Sequence, residues 1–146
     1  MTANKYIKEV EVKYKNKAPI KKIKITGSEQ IFKLFKDLQD ETQEKFIALH
    51  LAGDNSISCF QVVYIGTTNA ALVNPADILR TTLLTGACGL IVVHNHPSGN
   101  PDPSRADKQI TEMIDKACKI FGIKLYDHII IGESYFSFAD NDMIQK

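Results

Sequence analysis

Three side chains in this sequence stand at a spacing that suits a metal ion. His94 and His96 straddle Asn95 at the end of the apolar run Leu90-Ile91-Val92-Val93, and Asp107 follows three residues after Ser104. Residues two apart on a strand share a face, so both imidazoles point to one place where a buried strand surfaces. The intervening segment 97–103 carries Pro97, Gly99, Pro101 and Pro103. No regular element survives that density, so it reads as a shaped loop that returns the chain. Asp107 then falls in the first turn of a helix that starts at Ser104. Two imidazole nitrogens and one carboxylate oxygen, with a fourth position left to water, form the donor set of a catalytic rather than a structural zinc. One Zn2+ per chain is expected, and such an ion lowers the pKa of water from about 15.7 to roughly 7.

Each piece alone has a plainer reading. Ser104-x-x-Asp107 is an ordinary capping signature, and Asp in a first turn suits the helix dipole. An isolated His is more often a hydrogen-bonded core group than a ligand. The combination carries the argument: strand, His-x-His-Pro, a loop of fixed length, Ser, two residues, Asp. His128, next to Asp127 on a later strand, is expected as a core residue or a support behind the ligands. As a fourth ligand it would close the site and oppose catalysis. His50, between Leu49 and Leu51, reads as structural or exposed.

Around these residues the sequence lays out strands and helices without regular alternation. Tyr6 to Tyr14 and Ile20 to Ile25 alternate in type and read as strand or extended arm. Ser28 is the expected N-cap of a helix carrying Ile31, Phe32, Phe35 and Leu38. Strands over Phe46–Leu51 and Ile57–Ile65, joined by Gly53-Asp54-Asn55-Ser56, form an antiparallel hairpin. Asn74-Pro75 opens a helix that Gly86 ends. The Leu90–Val93 strand is apolar throughout and is expected to be buried on both faces. The Ser104 helix should run to about Phe121 with Ile110, Ile114, Ala117, Cys118 and Phe121 inward. Strands over Leu125–Ile131 and Ser134–Phe138 follow. The fold class is α+β, with a mixed, mostly antiparallel sheet flanked by helices.

The stretch His94-Asn95-His96-Pro97 through Ser104-Arg105-Ala106-Asp107 resembles the JAMM (MPN-type) metallopeptidase motif, met residue for residue in spacing. Gly66-Thr67-Thr68-Asn69, the Pro75–Ile78 stretch, Ser98-Gly99, Pro103-Ser104 and Leu125-Tyr126-Asp127-His128 narrow the resemblance to the bacterial RadC family, over roughly residues 28–140. The resemblance implies a JAMM/MPN-like (cytidine-deaminase-like) architecture and zinc on His94, His96 and Asp107. It implies that Ser104 stabilises a developing oxyanion. It also implies a proton-shuttling Glu ahead of an apolar strand, the place Glu44 holds before Lys45-Phe46-Ile47. A general base must reach the attacking water, and a strand start beside the metal strand can do so. The chain departs from the RadC pattern His-Pro-Arg-Glu with Asn74-Pro75-Ala76-Asp77, which puts substrate choice in question. The helix-hairpin-helix segment common in RadC proteins has no signal here, so a stand-alone RadC-type JAMM domain over 28–146 is expected, behind a basic arm over 1–27. The favoured function is a zinc-dependent hydrolase cutting a peptide or isopeptide bond in an unknown peptide or protein substrate. The alternative is a DNA-repair-associated, nucleic-acid-binding factor with a non-catalytic metal.

Bulk properties restrict partners only weakly. The 146 residues suit one domain, and the net charge of +1 favours no partner class. Residues 1–24 hold eight Lys against Glu9 and Glu11. Such an arm suits nucleic acid, although Lys also blunts exposed strand edges. Cys59, Cys88 and Cys118 are odd in number and lack CxxC spacing, so buried free thiols and a reducing compartment are expected. No run is long and apolar enough to span a bilayer, which leaves a cytoplasmic location as the expectation and no membrane partner.

Overall fold

A computed structural model describes residues 6–16, 21–66 and 73–144. Its centre is β3 (Gly89–Asn95), buried at every position as its unbroken apolar run demands. On one side β3 pairs antiparallel with β1 (Lys45–Leu51); on the other it pairs parallel with β4 (Lys124–Ile131). Outside these lie β2 (Ile57–Ile65), antiparallel to β1, and β5 (Tyr135–Ser137), antiparallel to β4, giving the order β2-β1-β3-β4-β5. Three helices flank this mixed sheet: α1 (Ser28–Leu34), α2 (Pro75–Leu84) and α3 (Arg105–Ile120). The parallel pair β3–β4 needs a crossover, and α3 supplies it.

Side-chain alternation assigns residues to the two faces. Phe46 and Ala48 of β1, with Leu90 and Val92 of β3, pack with Ile78 and Leu79 of α2 and Ile110 and Ile114 of α3. Ile47, Leu49, Ile91 and Val93 pack on the opposite face with Ile31 and Leu38. His94 continues the Leu90, Val92 series and therefore faces the layer that contains α3. The expected class, the hairpin and the wholly buried strand all stand.

Several local expectations need correction. Ser28 is not the N-cap: Gly27 holds that position without a side-chain bond, and the Ser28 hydroxyl turns to Asp140 and to Tyr135 at 3.3 Å. The helix there also stops at Leu34 and resumes as a 3-10 turn over Lys36–Asp40. At the three-residue spacing of such a turn, Leu38 N–H donates to Phe35 O at 3.0 Å and the Leu38 side chain is buried. Phe121 is 56% exposed, because α3 ends at Ile120 and the chain turns away before that ring reaches the core. Only Cys118 is a buried thiol; Cys59 is half-buried and Cys88, in the turn before β3, is exposed.

The basic arm forms no strand over residues 6–16, whose side chains are all exposed. Nearer the domain, Ile25 N–H donates to Asn55 O at 3.0 Å and Ile57 N–H donates to Ile23 O at 2.8 Å. Lys24 thus bridges to Ser56 at the start of β2, so the last part of the arm is tied to the hairpin. Residues 17–20 and 67–72, which include Ile20 and Thr67-Thr68-Asn69, lie outside the described residues. No helix among the described residues is long and apolar enough to cross a membrane.

Candidate metal centre

His94 is the sixth residue of β3, fully buried, and its position is fixed by pairing on both sides: Phe46 of β1 and Ile130 of β4 lie opposite. The Phe46 ring stacks on it at 5.6 Å between centroids. His96 stands just past the strand end, where its N–H still donates to Ile131 O at 2.9 Å. The loop then turns back sharply. Gly99 donates its N–H to His96 O at 2.9 Å with φ of 87°, a conformation glycine adopts without penalty. A Cβ at Gly132, just beyond β4, would lie 2.3 Å from Gly99 O, so only glycine lets this loop press against the sheet. The folded loop delivers Asn100 O to His96 Nδ1, at 2.9 Å. A carbonyl can only accept, so Nδ1 carries the proton and Nε2 of the neutral ring is bare.

The loop ends in the cap of α3. Ser104 Oγ accepts from Asp107 N–H at 3.0 Å, and Asp107 Oδ2 accepts from Ser104 N–H at 2.8 Å. This is a reciprocal capping box, with Asp in the place of the more usual Glu or Gln. The capping reading and the metal reading are therefore not rivals, since one carboxylate can serve both. The box fixes the Asp107 rotamer and leaves Oδ1 3.2 Å from His94 Nε2 and Oδ2 3.1 Å from His96 Nε2. The two Nε2 atoms are themselves 3.1 Å apart. Tetrahedral zinc with bonds near 2.0–2.1 Å separates its donors by about 3.3 Å. The donor set and its spacing fit such an ion, and these three residues can hold one.

The electrostatics agree. Burial pushes the Asp107 carboxyl up, but its pairing with the His94 and His96 rings, which donate to it when they carry the extra proton, outweighs this and holds the group well below the ordinary carboxylate range. The Asp107 carboxylate, as an acceptor for that ring and opposed by partial burial, raises His96 above the ordinary imidazole value; the charge of Glu44 adds to this. The cluster thus draws positive charge, a proton if no metal is present. His128, fully buried, is pushed well below the ordinary value by desolvation and then by the neighbouring His94.

Each residue expected at the site has a definite place. Glu44 is half-buried, immediately ahead of β1 and two residues before Phe46, which pairs with His94, and its charge acts on His96. Its carbonyl accepts from Gly66 N–H at 2.8 Å. Ser104 is exposed beside Asp107; its Oγ accepts in the cap, so its own proton can be donated elsewhere. His128 lies behind His94, with Nε2 2.7 Å from His94 Nδ1, and is not among the three converging donors. His50 is buried on β1, its Nδ1 3.0 Å from Thr82 Oγ1. Asp77 does more than serve the α2 N-terminus. It accepts from Tyr64 OH at 2.7 Å and pairs with Arg80 at 3.2 Å, while Asn74 caps the helix as expected.

Two contributors escaped the sequence reading. Asn95, 1% exposed, accepts from Lys45 N–H at 2.7 Å and donates to Gln43 O at 3.1 Å. It thereby clamps the backbone on both sides of Glu44 to the end of β3. Thr111 sits one helical turn after Asp107, and its hydroxyl donates to Asp107 O at 2.7 Å. The spacing of four residues from Asp107 was the available signal. For Asn95 none existed, because its partners are some fifty residues away.

The chain is similar to known proteins over most of its length. A family model described as RadC-like JAB domain matches residues 25–143. The UPF0758 protein of Aquifex aeolicus (strain VF5) is 38% identical over 136 residues, which cover 92% of this chain and 59% of that protein. UPF0758 proteins of Chlorobium phaeovibrioides (strain DSM 265 / 1930) and Methanosarcina acetivorans are 37% identical over 123 residues and 39% over 126. Those matches take in 83% and 85% of this chain and 55% of each relative. The chain thus spans little more than half the length of these relatives.

Proposed function

Because the chain belongs to the RadC-like JAB domain family, we propose that it is a zinc-dependent hydrolase of JAMM type that cuts a peptide or isopeptide bond. The observation that carries this reading is the convergence of His94 Nε2, His96 Nε2 and the Asp107 carboxylate, 3.1–3.2 Å from one another. When bound, zinc supplies Lewis acidity, polarising a carbonyl and making water acidic enough to attack at neutral pH. His94, His96 and Asp107 hold the ion. The His94 side chain is 0% exposed and that of His96 is 15%, so the approach lies on the His96 side. Glu44, on that side of the site, takes a proton from the attacking water on its carboxylate and returns it to the leaving nitrogen. The Ser104 hydroxyl, with its oxygen fixed by the cap, donates to the oxyanion that develops on the carbonyl.

The test has two stages. The purified protein should carry about one zinc per chain by elemental analysis, and a His94→Ala, His96→Ala double variant almost none. Glu44→Gln should then keep its zinc but lose hydrolysis of whichever peptide or isopeptide substrate the parent cleaves. A parent that refuses added zinc at neutral pH would sink the metal reading. A Glu44→Gln protein as active as the parent would remove the proton shuttle from it.

A further inference from the structure

The hydrogen bonds behind His94 can run in only one direction, and that direction is set by a backbone carbonyl. Thr111 Oγ1 lies 2.7 Å from Asp107 O and 2.5 Å from His128 Nδ1. The carbonyl has no proton to give, so the single hydroxyl proton of Thr111 goes to it. Thr111 must then accept from His128, and the His128 Nδ1 is the protonated nitrogen. Its Nε2 is bare and, at 2.7 Å, accepts from His94 Nδ1–H. The neutral His94 ring has one N–H, now spent on His128, which leaves Nε2 as a lone pair facing His96 and Asp107.

We propose that His128 and Thr111 are positioning residues that hold His94 in its metal-binding tautomer and orientation, through a relay anchored on the Asp107 backbone. The inference rests on the reading of His94 as a metal ligand. The relay closes a loop from one ligand to the other, since it starts at the ring of His94 and ends on the main chain of Asp107. His128 itself is rigidly seated. It stacks on Phe138 at 4.7 Å and 10°, meets Phe46 edge-on at 5.8 Å, and is fully buried. On the other side, Asn100 O does for His96 what the relay does for His94. Each imidazole is thereby committed, by a backbone acceptor, to present Nε2. Metal-ligating histidines commonly owe their tautomer to such outer partners, whose loss weakens metal binding about 10–100-fold.

The proposal predicts the zinc affinity of the whole chain, measured by competition with a chelator of known strength. His128→Phe keeps the stacked ring but removes both nitrogens, and should bind zinc about 10–100-fold more weakly. His128→Gln, whose amide oxygen can reach the Nε2 position, should recover much of the loss. Thr111→Val should weaken binding and Thr111→Ser should not; this pair decides the matter if the His128 variants fail to fold. Nitrogen-15 spectra of the zinc-loaded parent supply a readout that a merely structural role would not move. They should show His94 protonated at Nδ1, and His128 protonated at Nδ1 with Nε2 bare. Folded His128→Phe and Thr111→Val proteins with parental zinc affinity, or a His128 protonated at Nε2, would overturn the relay. A parent that binds no zinc would instead overturn the metal reading, and the relay with it.

Discussion

His50 should make this fold sensitive to mild acid, for a reason independent of the metal. The side chain is fully buried on β1 beneath α2. Nδ1 bonds to Thr82 Oγ1 at 3.0 Å, but Nε2 has no hydrogen-bond partner among the described residues. Protonation would bury a charge and add a donor with nothing to receive it. Burial accordingly depresses its pKa from 6.5 to about 4. Between those values the unfolded chain binds the proton and the folded one does not, so stability rises with pH across this window. It is fully present above about 6.5 and is lost as pH falls towards 4. At about 1.4 kcal/mol per pH unit, the total is about 3 kcal/mol, a large part of a small domain's stability. His50→Leu removes the titrating group at similar volume, and Thr82 keeps its contact with Ile78 O at 3.4 Å. Urea unfolding of parent and variant, both with chelator present, should be compared from pH 7.5 to 4.5. The comparison cancels the titration of the metal cluster, which both proteins share. The variant should gain on the parent by about 2–3 kcal/mol over that range. A difference that stays constant with pH would refute the argument.

Substitutions at two further positions separate roles that overlap at the site. Asn95→Ala leaves Lys45 N–H and Gln43 O without their side-chain partner, at a cost of about 1–3 kcal/mol in unfolding free energy. Its zinc content should match the parent, while turnover on any cleaved substrate should fall because Glu44 is no longer held; parental turnover would contradict that role. Asp107→Asn and Asp107→Ala should both lose zinc, but differ in metal-free stability. Asn can still accept from Ser104 N–H, whereas Ala forfeits that bond and costs about 1 kcal/mol more by chemical unfolding. Equal stability of the two would show that the capping box contributes little.

The local signals that the sequence carries were those with short-range physical causes. Asn74-Pro75 and Ser104 open their helices, because a cap is a bond to a backbone two or three residues away. The Leu90–Val93 run is buried on both faces, because no apolar strand of that kind is stable half in water. The three donors that could hold a metal were legible for the same reason, with two histidines on one strand face, a loop of fixed length and an aspartate pinned by its own cap. Expectations failed where a distant partner decided. Ser28 looks like a cap, yet Asp140 and Tyr135, more than a hundred residues on, claim its hydroxyl. The alternating arm reads as strand or extended arm, and over residues 6–16 no strand forms, because alternation states a preference and only a neighbouring edge satisfies it.

What surrounds the three donors belongs to tertiary structure. The chain order makes His94, His96 and Asp107 available; the parallel pairing of β3 with β4 puts His128 at the back of His94, and α3 adds Thr111 to it. The antiparallel pairing of β1 with β3 brings Glu44 to the same end, and the Asn95 clamp holds it there. A hydrogen bond across thirty or fifty residues leaves no periodicity in the sequence, since its spacing is set by sheet register rather than by the turn of a helix or the pleat of a strand. The three converging donors were therefore written along the chain, while the hydrogen bonds behind the histidines and the place of Glu44 were decided only when the sheet closed around them.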